Sequence, residues 1–392
     1  MAVWAIGDLH GDVDCSRYWV ARTGLVRHLS NPPEEWEWAD PASRLVFLGD
    51  YIDKGPSSRR VLEFVKRLTD RFPTQVTALM GNHEANLLLD RARPSGRRYL
   101  DYVYGVAHPR QYLEWLPPAR RTENTTLALH ALLDALLTVY SRGLYRSAAM
   151  TPRGERSIVR LIAPPLRSVV SDELEAWQAA YLHGVRKGSE LGEWLARRPV
   201  TARVADTLFV HGGVPPSLAT RERVEALEGE ARGEAELEGT ISELLEYRGL
   251  HQSCEEVAVV AARLNVSRVA VGHTPDDTVR IGCGGRLVAL DSTLSRWFRA
   301  SGNNFCRSVG AASSAADGGF RCPMVDARCQ GQIVRWARAD HVSEEGTAGR
   351  SDDWALPGSQ WTVHVVDSDH VPAKEPEDAW PVDAEERALD EL

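Results

Sequence analysis

Short apolar runs alternate with amphipathic segments through the first third of the chain. AVWAIG (2–7), RLVFLG (44–49) and QVTALMG (75–81) are apolar, rich in β-formers, and each ends in glycine. That is the profile of strands buried on both faces. Between them, residues 15–29 and 57–72 space their apolar positions as helices do, with Ser57 and Ser58 placed to cap the second. This alternation predicts a parallel sheet with right-handed crossovers. Ligands of such sheets gather where the strands end.

From about residue 86 to 205 the pattern changes. The stretch is rich in arginine, predicts helices around 125–140 and 171–185, and breaks near Pro117-Pro118 and Pro164-Pro165. It reads as a helical insertion after the third strand. The alternation resumes with DTLFVHGG (206–213), helices near 224–247 and 254–264, then SRVAVGH (267–273) and RLVALDS (286–292). One domain over 1–300 follows, with a Gly/Ala/Ser/Cys-rich extension over 301–341. Residues 342–392 read as an acidic, partly disordered tail in which WTVHVV (361–366) could form a strand.

Composition and charge narrow the picture. The chain has 392 residues, 43% of them apolar, and no run near the ~20 apolar residues of a membrane-spanning helix. The N-terminus lacks the pattern of a signal peptide. The net charge of −9 is unevenly spread: 339–392 hold 15 acidic and three basic residues, whereas 91–167 hold 13 arginines and five acids. Six cysteines at 15, 254, 283, 306, 322 and 329 show no Cys-x2-Cys pair for zinc. They read as reduced thiols in a cytoplasmic protein.

The chemistry lies at the strand ends. The strands run into Gly7-Asp8-Leu9-His10-Gly11, Gly49-Asp50-Tyr51-Ile52-Asp53-Lys54-Gly55, Gly81-Asn82-His83-Glu84, His211-Gly212-Gly213 and Gly272-His273-Thr274. Each turn alone is ordinary. Together they bring carboxylates, an amide and imidazoles to one sheet edge, a mixed nitrogen and oxygen set for divalent metals. Two ions ~3.5–4 Å apart can clamp an in-line phosphoryl displacement. One carboxylate must then bridge them, and Asp50 on the middle strand is the natural candidate.

GDLHG, GDYIDKG, GNHE, HGG and GH, in this order and spacing, resemble the calcineurin-like metallophosphoesterases and their phosphoprotein phosphatase branch. The resemblance spans about residues 1–300. The segments 191–213 and 247–274 look most like the Shewanella-like phosphatases, and the diadenosine tetraphosphatases are near relatives. The resemblance implies an αββα sandwich of the α/β class. It implies Asp8, His10 and Asp50 on one metal, and Asp50, Asn82, His211 and His273 on the other. His83 matches the general acid and Asp53 the carboxylate that orients it, while Glu84 reads as a support of its loop. Asn82, Lys54 and Arg248 match the groups that face the phosphate. Lys54 stands where the family has arginine, which keeps the charge and loses the bidentate fork. The Ser-Ala-Pro-Asn-Tyr loop of the eukaryotic enzymes has no match; ALDSTLSRW (289–297) occupies that region.

The expectation is thus a cytoplasmic phosphatase with two divalent metals, Mn²⁺ or iron favoured and Zn²⁺ compatible. A metal-bridging hydroxide attacks a phosphomonoester of phosphoprotein, on Ser/Thr or Tyr. The alternatives are a dinucleoside polyphosphate or capped-nucleotide hydrolase and, from another class, a non-catalytic binding protein. The residues point to no membrane partner, and to no nucleic acid beyond a nucleotide substrate.

Overall fold

The alternation within AVWAI divides its side chains between two cores. Val3 and Ala5 face a second sheet, while Ile6 joins the core beneath the helices. The computed structural model of the chain describes residues 1–93, 108–141, 160–227, 237–301, 328–338 and 353–368. In it β1 (Ala2–Ile6), β4 (Arg44–Phe47) and β5 (Val76–Ala78) form a parallel triplet. The short pair β2 (Val26–Arg27) and β3 (Glu37–Trp38) stands apart. A second parallel triplet is β7 (Thr207–Val210), β8 (Arg268–Val271) and β10 (Leu287–Ala289), edged by β6 (Thr201–Val204) and β9 (Arg280–Gly282). The two sheets stack through Val46, Leu48, Phe209, Ala270 and Val288. Their outer faces pack on helices such as α1 (Val13–Arg22) and α2 (Ser58–Arg71) on one side and Cys254–Leu264 on the other. The alternation predicts the parallel strands, and their division between two stacked sheets is the α/β sandwich that the resemblance implies.

The helices of the insertion are α3 (Asn82–Asp90), α4 (Arg110–Leu113), α5 (Glu123–Ser141), α6 (Arg167–Gly184) and α7 (Glu190–Ala196). β6 follows within the span expected to be helical, because Thr201–Val204 pair with β7 as a hairpin. The first predicted helix also ends early. Gly24 takes φ +64° and turns the chain into β2 instead of continuing to residue 29. Ser57 and Ser58 stand where a cap was expected but bond elsewhere. Ser57 Oγ accepts from Arg60 Nη2 at 2.7 Å, and Ser58 Oγ accepts from the Asp53 N–H at 2.9 Å.

The extension and tail enter the first sheet. β11 (Gln332–Arg338) lies antiparallel beside β1, followed outward by β13 (Trp361–Asp367) and β12 (Asp353–Ala355). Trp336, Trp361 and Val363 are buried in the core between the sheets, where the Trp336 ring meets Phe209 at 5.1 Å. Arg268, wholly buried, holds this segment to the second sheet through Ser359 Oγ (2.9 Å) and the Trp361 carbonyl (2.9 Å). Among the described residues no helix is long and apolar enough to cross a membrane.

The cysteines correct the sequence reading. Cys15 is bonded to Cys329 and Cys254 to Cys283, across 314 and 29 residues; Cys306 and Cys322 lie outside the described residues. Spacing along the chain carried no trace of these pairs because the fold, and not the sequence, makes their partners neighbours. The reduced-thiol reading falls for these four cysteines, and with it the argument from thiols to a reducing compartment.

Trp361 is 8% exposed and Trp354, on the neighbouring strand, 38%. Trp361→Ala should cost about 3–5 kcal/mol. Trp354→Ala should stay within about 0.5 kcal/mol. Equal melting midpoints for the two variants would show that the C-terminal strands add nothing to the core.

Candidate metal centre

Each ligand-type turn follows a strand of one of the two parallel triplets. Asp8 and His10 follow β1, Asp50 and Asp53 follow β4, and Asn82 and His83 open α3 after β5. His211 follows β7 and His273 follows β8. The backbone is forced into the left-handed region at His10 (φ 39°), Asp50 (53°), Asp53 (67°), Lys54 (64°) and His273 (64°). Non-glycine residues seldom sit there, and clusters of them mark functional sites. Two glycines have a steric reason: a Cβ on Gly81 would collide with the Asp50 carboxylate, and one on Gly272 with that of Asp8.

Glu84, fully buried, holds the turns in this shape. Its Oε2 accepts the N–H groups of Asp50 (2.8 Å) and Gly81 (2.9 Å), and its Oε1 those of Tyr51 (2.8 Å) and Ile52 (3.3 Å). Its reading as a loop support agrees with this geometry.

The ligand atoms then converge in two groups that share Asp50. One atom each from His10, Asp50 and His83 lie within 4.8 Å of one another, as do those of Asp50, His211 and His273. Asp8 joins the first group, its Oδ2 3.9 Å from His10 Nε2. Asn82 joins the second, its Oδ1 3.0 Å from His211 Nε2 and 2.9 Å from His273 Nδ1. The histidines are oriented from behind. His10 Nδ1 donates to the Ile52 carbonyl (3.1 Å) and His211 Nδ1 to that of Leu48 (2.8 Å), which leaves each Nε2 lone pair facing the carboxylates.

The charges fit a cation site. Burial, then the charges of Asp291 and Asp50, hold the Asp8 carboxyl well above its usual range. Burial raises Asp50 too, but His211, His83 and His10 together carry it well below. Burial lowers His10 to about 3 and pushes His273 down as well, so both rings are neutral and ready to ligate. His211 moves upward because the Asp50 charge and hydrogen bond outweigh its burial. Its Nε2 faces Asp50 Oδ1 at 3.3 Å and Asn82 Oδ1 at 3.0 Å. Three acceptors meeting in a buried space need a proton or a cation among them. Carboxylate, amide oxygen and imidazole suit divalent first-row ions, and these residues fit two of them.

Beside the ligands stands a hydrogen-bonded pair. His83 Nδ1 meets Asp53 Oδ2 at 2.7 Å, and His83 Nε2 lies 3.8 Å from Asp50 Oδ2. Lys54 is close enough that its charge helps to lower His10, and its ammonium lies 5.5 Å from the centre of the Phe298 ring. Arg248 Nη1 donates to Thr274 Oγ1 at 2.9 Å, next to His273, and its charge helps to lower that ring.

Several residues at the site were not singled out from the sequence. Asp291, in the RLVALDS run, is buried against Asp8, and burial lifts its carboxyl to about 6. Arg296 grips Asp12 (2.8 Å) and Asp14 (2.7 Å), and Phe298 packs on the His10 ring at 4.7 Å. Gln111, from the insertion, donates to Asp53. The unmatched segment 289–297 was the one signal for the first two.

Residues 1–162 match the family model of the calcineurin-like phosphoesterases. The chain is 24% identical over 302 residues to an uncharacterised protein of Schizosaccharomyces pombe, covering 74% of this chain and 73% of that protein. It is 30% identical over 169 residues to the symmetrical bis(5'-nucleosyl)-tetraphosphatase of Bordetella parapertussis. That match covers 41% of this chain and 55% of the relative, about half its length. A solved cold-active protein-tyrosine phosphatase of a psychrophilic Shewanella superposes with a TM-score of 0.41 at 19% identity, over 74% of this chain and 71% of that one. The family match ends before His211 and His273, which follow strands of the second sheet, and before Arg248, which follows the helix Ser242–Glu246. With its five turns gathered at one edge of a two-sheet sandwich, the chain is similar to the calcineurin-like phosphoesterases, whose family model its residues 1–162 match.

Proposed function

We propose that the protein is a two-metal phosphomonoesterase whose substrate is phosphorylated protein, at Ser/Thr or Tyr. The observation that carries the reading is Asp50, one carboxylate common to two groups of ligand atoms with His83 beside it. Asp8, His10 and Asp50 would hold one ion, and Asp50, Asn82, His211 and His273 the other. Mn²⁺ and iron suit this set best, and Zn²⁺ is compatible. Two bound divalent ions supply Lewis acidity toward phosphoryl oxygens and a nucleophile at neutral pH.

The chain's own groups do the rest. Asp53 holds the Nδ1 side of His83, so the ring presents Nε2 toward Asp50 and the metal side. As the bond from phosphorus to the leaving oxygen breaks, the Nε2 proton passes to that oxygen. Lys54 and Arg248 offset charge on the phosphoryl oxygens, and Asn82 helps to orient them.

A second reading is favoured by the relatives named as bis(5'-nucleosyl)-tetraphosphatases: hydrolysis of a dinucleoside tetraphosphate. Purified protein with Mn²⁺ should be assayed on p-nitrophenyl phosphate, phosphopeptides and diadenosine tetraphosphate. Preference for phosphopeptides supports the first reading, and preference for the dinucleotide the second. No turnover of any phosphoester would leave a binding protein.

His83→Asn should lower kcat on alkyl phosphates far more than on p-nitrophenyl phosphate, since a general acid contributes about 10²–10⁴-fold and a stable leaving group needs less of it. Losses of equal size would remove His83 from the acid role. For Arg248→Ala, kcat/KM should fall without loss of bound metal, and Arg248→Lys should regain only part because the fork is gone. Wild-type kinetics in Arg248→Ala would take this residue out of phosphate binding.

A further inference from the structure

The helical insertion hydrogen-bonds to the candidate acid pair through Gln111. Gln111 lies on the single turn of α4 and is wholly buried. Its Nε2 donates to Asp53 Oδ1 at 2.8 Å, and its Oε1 accepts from Ser58 Oγ at 2.9 Å. Ser58 Oγ in turn accepts the Asp53 N–H at 2.9 Å. Gln111, Ser58 and Asp53 therefore close a small ring of hydrogen bonds, and the remaining carboxylate oxygen, Oδ2, meets His83 Nδ1 at 2.7 Å. The amide has one sensible orientation, because turning it over would set its oxygen against the carboxylate. One turn further along, Glu114 accepts from the Arg59 N–H (2.8 Å) and from Arg60 Nε (2.6 Å), fastening α4 to the start of α2.

We infer that Gln111 is a positioning residue for proton transfer. It fixes the rotation of the Asp53 carboxylate so that Oδ2 stays on His83 and the ring stays aimed at the leaving oxygen. The insertion thereby becomes part of the reaction's supporting structure, since loose support of a catalytic group by even about 1 Å impairs it. The inference rests on the phosphoesterase reading above.

The test compares wild type, Gln111→Leu, Asp53→Asn and the double variant on an alkyl phosphate and on p-nitrophenyl phosphate. Gln111→Leu should lower kcat about 10-fold or more on the alkyl ester and less than about 3-fold on the aryl ester, with KM unchanged, a fraction of the full acid effect. In the Asp53→Asn background the same change should add less than about 2-fold, because the two residues act through one interaction. Should Gln111→Leu not fold, Gln111→Asn, which keeps the amide one carbon short of Asp53, reads the same split. Equal losses on both esters, or effects that multiply in full in the double variant, would overturn the positioning role. An inactive wild type would instead sink the phosphoesterase reading. An active wild type with an unaffected Gln111→Leu would sink this inference alone.

Discussion

Four backbone N–H groups converge on the buried carboxylate of Glu84, and the shape of the site depends on that clamp. Burial, followed by the Asp50 charge, lifts the Glu84 carboxyl to about 7, while the N–H groups work in the opposite direction. A buried carboxyl is tolerated only where such partners replace water. What the clamp secures is the left-handed turn at Asp50. From there the Asp50 carboxylate can face His10 and His83 through one oxygen and His211 through the other. Three of these bonds, from Asp50, Tyr51 and Ile52, join the loop after β4 to the one after β5, so the two turns are held as one unit.

The second half of the site depends on strands far along the chain. His211, His273 and Asp291 come from the second sheet, and the inter-sheet core that sets their distance from Asp50 includes Trp336 and Trp361. Gln332, at the start of β11, bonds through its backbone to Ser292 Oγ and through its side chain to the Val279 N–H. The loop that carries Asp291 is thus anchored by the C-terminal strands. Arg296 ties the far end of this loop to Asp12 beneath the first turn. Part of the stretch read as a Gly/Ala/Ser/Cys-rich extension of the domain thus supports the loop that carries Asp291.

Electrostatics explains why groups outside the ligand set also come from several elements. Asp8, Asp50, Asp53, Glu84 and Asp291 are all buried within a few residues of a strand end. Carboxylates gathered so closely repel one another unless cations and N–H donors stand among them. Histidines, Lys54, Arg248 and Arg296 supply part of that balance, and two divalent ions would supply the rest.

The amino-acid sequence by itself determined the strands of both triplets, the helical character of the insertion, and the turns that carry Asp8, Asp50, Asn82, His211 and His273. These are local properties. A strand buried on both faces must be continuously apolar, and a ligand held close to bare backbone needs glycine beside it. The strand at 361–366 was legible for the same reason. Tertiary structure alone decided that β11 lies beside β1, that Cys15 meets Cys329, that Asp291 presses on Asp8, and that Gln111 reaches Asp53. Each is a meeting of residues tens to hundreds of positions apart, and periodicity records which face of an element is buried, not what buries it. The expected cap at Ser57 and Ser58 failed for a related reason. Both hydroxyls found partners, Arg60 and Asp53, that only the folded turn brings within reach.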